Sequence, residues 1–234
     1  MVGRWIAKLE ELGQLDDTLI VVTSDHGEEL LERGHIGHTS CNLKGTLYDE
    51  CVRVPLLMRY PKGLPQGVVV EQQVSQIDIM PTIFALLGEP LELPHDGQPA
   101  LGLIGQGLMR QDGCGGGVTD PERSRSVTAP TVTASTATAP TGPAGAPFRP
   151  QAFAETMPAG WQALEGDNRR IWMVREQGWK LILNWDPETR EQRWELYDLR
   201  RDPGELTNVY ETQPEQAERL REALLAQMSH RLKS

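Results

Sequence analysis

Forty residues in the middle of the chain decide how it can be divided. From 111 to 150, 28 of 40 residues are Gly, Pro, Ala, Ser or Thr, and the large apolar side chains are only Val118, Val127, Val132 and Phe148. Such a stretch cannot bury enough apolar surface to offset the conformational entropy lost on ordering it. It reads as a disordered linker or surface insertion between an ordered part, 1–110, and a second one, 151–234.

The first part alternates helical and strand signals. A helix with Ile6, Leu9 and Leu12 facing inward stops at Gly13, and Thr18 to Thr23, TLIVVT, is a continuous β-branched apolar run. Runs of that kind fit a strand covered on both faces. A second run, Val52 to Tyr60, ends at Pro61, and the VVVEQQVSQ that follows the KGLPQG turn reads as an edge strand. From Ile77 to Leu87, the residues Ile79, Ile83, Leu86 and Leu87 fall at helical spacing before Gly88 stops the helix. Alternating helices and apolar strands predict an α/β fold, with a mixed or largely parallel sheet flanked by helices.

The second part has a different rhythm. RRIWMVREQGWKLILNW and QRWELYDL alternate apolar and polar residues around turns at Glu176 to Gly178 and Asp186 to Glu188. This predicts an antiparallel meander. From Gln213 to Leu232, Ala217, Leu220, Leu224, Leu225 and Met228 recur every three to four residues. They mark an amphipathic helix covering one face of that sheet, and so a small α+β subdomain.

Charge and composition narrow the partners. The 234 residues carry a formal net charge of −10, which argues against nonspecific binding to nucleic acid or anionic membranes. No stretch approaches the roughly 18 apolar residues of a membrane span. The first 15 residues read as an amphipathic helix rather than a signal peptide, so a soluble chain is expected and its compartment stays open. Cys41, Cys51 and Cys114 form neither a disulfide framework nor a CxxC metal pattern.

The sharpest chemical signal is the step from TLIVVT into Ser24-Asp25-His26-Gly27. Side chains at the carboxyl end of a parallel strand project into the crevice where open α/β sheets bind ligands. Asp25 and His26 there suit one divalent cation, held by a carboxylate oxygen and an imidazole nitrogen, while Gly27 permits a sharp turn. A helix cap by Asp25 beside a solvated His26 is the plainer alternative. Downstream run His35, His38, Lys44-Gly-Thr-Leu-Tyr-Asp-Glu50, then Arg53-Val-Pro-Leu; Val74 to Gly88; and Asp96-Gly-Gln-Pro-Ala-Leu101. Beyond the central tract stand Gly178-Trp-Lys-Leu-Ile182, Glu195-Leu-Tyr-Asp-Leu199 and Asp202-Pro-Gly-Glu-Leu-Thr-Asn208.

In this order, those motifs resemble the sulfatase family of the alkaline phosphatase superfamily. The family's pattern is a strand ending in SD[NH]G, then KGTxYE, xRVPL, a DxxPT helix, a DGxSL turn and a carboxy-terminal subdomain; here Pro99 stands where Ser is usual. The resemblance implies a sulfuric ester hydrolase acting on a small-molecule or glycan sulfate ester. It assigns Asp25 and His26 as metal ligands and Lys44 as the lysine that contacts the sulfate. The implied ion is Ca²⁺, and the His26 nitrogen leaves Mn²⁺ or Zn²⁺ open. His35 is the stronger of two loop histidines for donating a proton to a leaving oxygen, with His38 behind it. Glu50 and Arg53 are expected to brace the loop as an ion pair.

The family's formylglycine comes from Cys or Ser in C/S-x-P-x-R, and no such sequence occurs in the 234 residues; Thr119-Asp-Pro-Glu-Arg123 has Thr at that position. The chain therefore looks like a carboxy-terminal portion of a sulfatase, inactive without the nucleophile segment and the early Asp pair. A phosphodiesterase or phosphonate monoester hydrolase of the same superfamily is the alternative enzyme. A non-catalytic remnant is the alternative outside enzymology.

Overall fold

A computed structural model of the protein describes residues 1–34, 36–38, 46–104, 150–157 and 168–231. The central tract read as a linker lies outside them except for Pro150. Two compact units emerge: Met1–Gln66 together with Pro150–Ser234, and Gly67–Arg149. This grouping differs from the 1–110 and 151–234 division read from the sequence, because residues 47–52 pack against the C-terminal sheet.

That sheet has four antiparallel strands in the order β5 (Gln151–Thr156), β6 (Arg170–Glu176), β7 (Trp179–Trp185) and β8 (Gln192–Asp198). The meander predicted for β6 to β8 is present, and β5 is an addition the Gly- and Pro-rich neighbourhood concealed. Gln177 and Gly178 join β6 to β7 with φ of 42° and 92°. Two successive left-handed residues give the turn whose twist matches antiparallel strands.

Both faces of the sheet are covered. On one, Val174, Leu181, Leu183 and Leu196 pack with Ala217, Leu220 and Leu224 of helix α4 (Pro214–Arg231), as the helical spacing predicted, whereas Leu225 of the same predicted stripe is exposed. On the other, Ile171, Met173, Ile182 and Tyr197 pack with Leu47, Tyr48 and Val52. This second cover explains how Lys180, at an apparently solvent-facing position of the alternation, is completely buried.

The N-terminal strands correct the parallel expectation. β1 (Ile20–Thr23) pairs with β4 (Leu56–Arg59) in antiparallel register, Ile20 opposite Arg59 and Thr23 opposite Leu56. Every strand pair among the described residues is antiparallel. A parallel return needs a substantial crossover, usually a helix. Between β1 and β4 the described chain has only the short hairpin β2–β3 (Glu29–Leu30, Ile36–Gly37) and the four-residue helix α2 (Asp49–Val52). α2 also occupies the start of the run read as a strand from Val52. VVVEQQVSQ forms no strand. α1 (Val2–Glu11) ends before Gly13, but it buries no residue, and Leu12 is exposed rather than inward.

In the second unit a 3-10 turn, Gln76–Asp78, leads into α3 (Ile79–Leu87), stopped by Gly88 at φ 73°. Asp78 is buried, and its carboxylate accepts from the Ser75 amide at 2.9 Å and the Gln98 amide at 2.8 Å. Thr82 Oγ donates to the Asp78 carbonyl and accepts from the Ala100 amide. A Cβ on Gly97 would stand 2.0 Å from the Ile77 carbonyl oxygen. The DxxPT and DGQPAL motifs are thus two halves of one structural knot.

Candidate metal and ester site

Ser24 to Gly27 leave the carboxyl end of β1 in a turn organised by its own short side chains. Asp25 Oδ1 accepts from the His26 amide at 3.0 Å and lies 3.3 Å from Ser24 Oγ. The amide, followed by the nearby imidazole, holds the Asp25 carboxyl below the usual carboxylate range. Its Oδ2 faces His26 Nε2 at 3.6 Å. His26 Nδ1 is 2.9 Å from the Gly27 carbonyl. With the proton on Nδ1 donating to that oxygen, the Nε2 lone pair is left for a cation.

These donors fit a divalent ion. Two ligands each roughly 2.0–2.6 Å from one ion stand about 3–4 Å apart. An oxygen and a nitrogen separated by 3.6 Å meet that requirement. The mixed donor pair also matches the implied choice among Ca²⁺, Mn²⁺ and Zn²⁺ without selecting one.

The β2–β3 hairpin brings two further groups to His26. Its register pairs Glu29 with Gly37 and so sets Glu28 beside His38. His38 Nδ1 lies 2.5 Å from Glu28 Oε1, and the His38 ring stacks on His26 with centroids 3.6 Å apart and 27° between planes. Ligating atoms of His26, Glu28 and His38 all fall within 4.8 Å of one another. His26 is thus shared by two arrangements, one with Asp25 and one with Glu28 and His38. Glu28 was missed from sequence because its partner is ten residues away and only the hairpin register brings the two together. His35 and Lys44 lie outside the described residues.

Gly27 has a different reason from the expected turn. It is not left-handed; its amide donates to the Cys51 carbonyl at 2.8 Å, and a Cβ there would lie 2.0 Å from the Glu50 carbonyl oxygen. The Ser24–Gly27 turn therefore rests directly on the backbone of α2. The expected Glu50–Arg53 pair is corrected: Glu50 pairs with Arg33, and Arg53 is exposed. Arg33 also bonds Glu29 at 3.1 Å and the Gly204 carbonyl at 2.7 Å, with its guanidinium 3.8 Å from the Tyr48 ring centroid.

Comparison with known proteins accounts for both ordered parts. The family model named Sulfatase matches residues 1–89, and that of the N-sulphoglucosamine sulphohydrolase C-terminal region matches 161–234. An N-acetylglucosamine-6-O-sulfatase of Bacteroides thetaiotaomicron is 28% identical over 89% of this chain and 29% of its own length. An arylsulfatase of Chlamydomonas reinhardtii is 30% identical over 90% of this chain, again 29% of its own length. The chain thus spans less than a third of these curated relatives. A solved structure of a protein bound to its substrate D-glucosamine-2-N,6-O-disulfate superposes with a TM-score of 0.67 at 24% identity, covering 97% of this chain and 37% of that one. The order of motifs, both family models and the shared fold agree, and the chain belongs to the sulfatase family of the alkaline phosphatase superfamily.

Proposed function

We propose that this chain supplies the ion-binding and ester-contacting part of a sulfuric ester hydrolase. The observation that carries the reading is the 3.6 Å approach of Asp25 Oδ2 and His26 Nε2 at the end of β1. Asp25 and His26 hold one divalent cation, Ca²⁺ first among the candidates; when bound, the ion offsets negative charge on the sulfuryl oxygens. Lys44 places an ammonium against the same oxygens and the leaving ester oxygen, where fixed charge is worth most as the bond breaks. His35 donates the proton to that leaving oxygen. The Glu28–His38 pair holds the His26 ring in place from its other side. The names of the two curated relatives support a sulfated sugar or aryl sulfate as the ligand class.

Calorimetric titration of the 234-residue chain with Ca²⁺ and Mn²⁺ tests the ion reading. One ion should bind, and Asp25→Ala should abolish binding while Lys44→Ala leaves it intact. Binding that survives Asp25→Ala removes the site. An aryl sulfate and the matching aryl phosphate then test the ester, with Lys44→Ala expected to weaken binding of the sulfate. Preference for the phosphate would shift the reading to phosphoryl transfer.

A further inference from the structure

We infer that Lys180 and Glu205, buried in the C-terminal sheet region, are positioning residues for the Asp25–His26 pair, acting through α2. The inference rests on the ion-binding reading for its purpose and on geometry for its mechanism.

The mechanical path has two joints. The first is between the turn and α2: Gly27 donates to the Cys51 carbonyl at 2.8 Å, and a Cβ on it would stand 2.0 Å from the Glu50 carbonyl oxygen. A shift of α2 therefore carries Gly27 with it, and the Asp25–His26 pair adjoins Gly27 in the chain. The second joint is between α2 and the sheet. Lys180 Nζ lies 2.5 Å from Asp49 Oδ1 and donates to the Leu47 carbonyl at 3.1 Å and to Glu205 Oε2 at 3.1 Å. Glu205 Oε2 also accepts from the Asp49 amide at 2.5 Å. Arg175 grips the Asp49 carboxylate through two nitrogens, at 3.1 and 2.9 Å. The backbone on both sides of Tyr48 is fixed by groups of the C-terminal region.

The chemistry of this joint is more elaborate than cohesion requires. Lys180 and the Glu205 side chain have no exposed surface. Removing two charges from water is costly, and well-packed apolar residues of the same size often stabilise as well or better. What ions add is direction, since each N–H must find a particular oxygen. Glu205 further holds a left-handed backbone, φ 52°, a conformation disfavoured for a residue with a side chain. That conformation accompanies a carboxylate aimed inward at Lys180 and Asp49. Direction and strain together point to a device that sets where α2 sits.

Three variants of the full chain separate positioning from bulk stability. Lys180→Met keeps the length and removes the charge. Lys180→Met with Glu205→Gln removes the unpaired carboxylate as well, but does not rebuild the bonds to Leu47 and Asp49. Leu220→Ala weakens the opposite face of the sheet. Changes to groups that orient ligands typically cost 10- to 100-fold in metal affinity. At a temperature where all remain folded, Lys180→Met should weaken Mn²⁺ binding about tenfold or more, and the double variant should recover stability without recovering affinity. Leu220→Ala should lose stability and keep affinity. Amide exchange at Gly27, read without any ion, should quicken in the two Lys180 variants and not in Leu220→Ala.

Affinity that follows stability across all three, or a Gly27 amide that Lys180→Met leaves unchanged, overturns the inference. If the parent chain binds no ion while Gly27 still responds to Lys180→Met, the ion reading fails and the positioning stands.

Discussion

The two faces of the C-terminal sheet are held by opposite means. Beneath α4 the contacts are apolar: Val174, Leu181, Leu183 and Leu196 against Ala217, Leu220 and Leu224. Beneath residues 47–52, apolar groups share the face with Lys180, Glu195 and Glu205, and with the hydroxyls of Tyr48 and Tyr197, which both donate to Glu195. Apolar burial is strong but indifferent to small sliding. A buried ionic lattice is less certain as a source of stability and far stricter about register. The face that needs only a lid uses the first, and the face beside the candidate site uses the second.

Four measurements would sharpen or break that contrast. The largest loss should come from Lys180→Met, about 3–5 kcal/mol, because Asp49 is then left with Arg175 and the buried Glu205 carboxylate with the Asp49 amide. Urea unfolding gives the value, and a loss below about 1 kcal/mol would show the lattice to be slack. Leu220→Ala, at 0% exposure, should cost about 2–5 kcal/mol through the cavity it leaves. Unlike Lys180→Met, it should be partly repaired by Leu220→Met.

The third measurement is a pH titration. Burial, then the charge of Glu195, pushes the Tyr48 hydroxyl up from 10.0 to about 12. The same two groups raise Tyr197 further. The folded state thus keeps protons that the unfolded chain releases first. Stability from this cluster is complete below about pH 10 and drains away as pH climbs toward 12. Glu195→Gln removes the charge that raises both hydroxyls, so their ionisation should move to lower pH and the stability lost on ionisation should shrink; tyrosinate absorbance and circular dichroism together report it, and an unmoved ionisation would exclude the cluster. The smallest effect belongs to the helix-face ion pair: Arg219→Ala, which leaves Glu176 with Gln151 alone of these two partners, should cost about 0.2–1 kcal/mol.

The same contrast governs what could be read from the chain. β6, β7, β8 and α4 were legible because their apolar spacing answers to neighbours close in sequence. α3 was legible for the added reason that Gly88 marks its end. Asp25 and His26 stood out because they interrupt an apolar run. Lys180 stands at a polar position of the alternating strand, and nothing local reveals that Leu47, 133 positions earlier, covers that face. The antiparallel β1–β4 pairing was hidden likewise, because an apolar run carries no direction, and the cover expected on both faces of β1 is incomplete among the described residues, none of its four being fully buried. Glu50 was matched to the nearer Arg53 when the hairpin delivers Arg33 instead.

The hairpin order of the C-terminal sheet has a consequence in time. β6, β7 and β8 close onto one another through short connections, whereas α2 must find Lys180 and Glu205 across a separation of more than a hundred residues. Closing long loops is the slower and entropically dearer event. The sheet is therefore expected to assemble first as a template, with α2 and the Ser24–Gly27 turn settling onto it late. In a chevron experiment Asp49→Asn would then chiefly quicken unfolding and leave the refolding rate almost untouched. Slowed refolding would instead place α2 in the nucleus, and the part of the chain nearest the chemistry would be among the first to form.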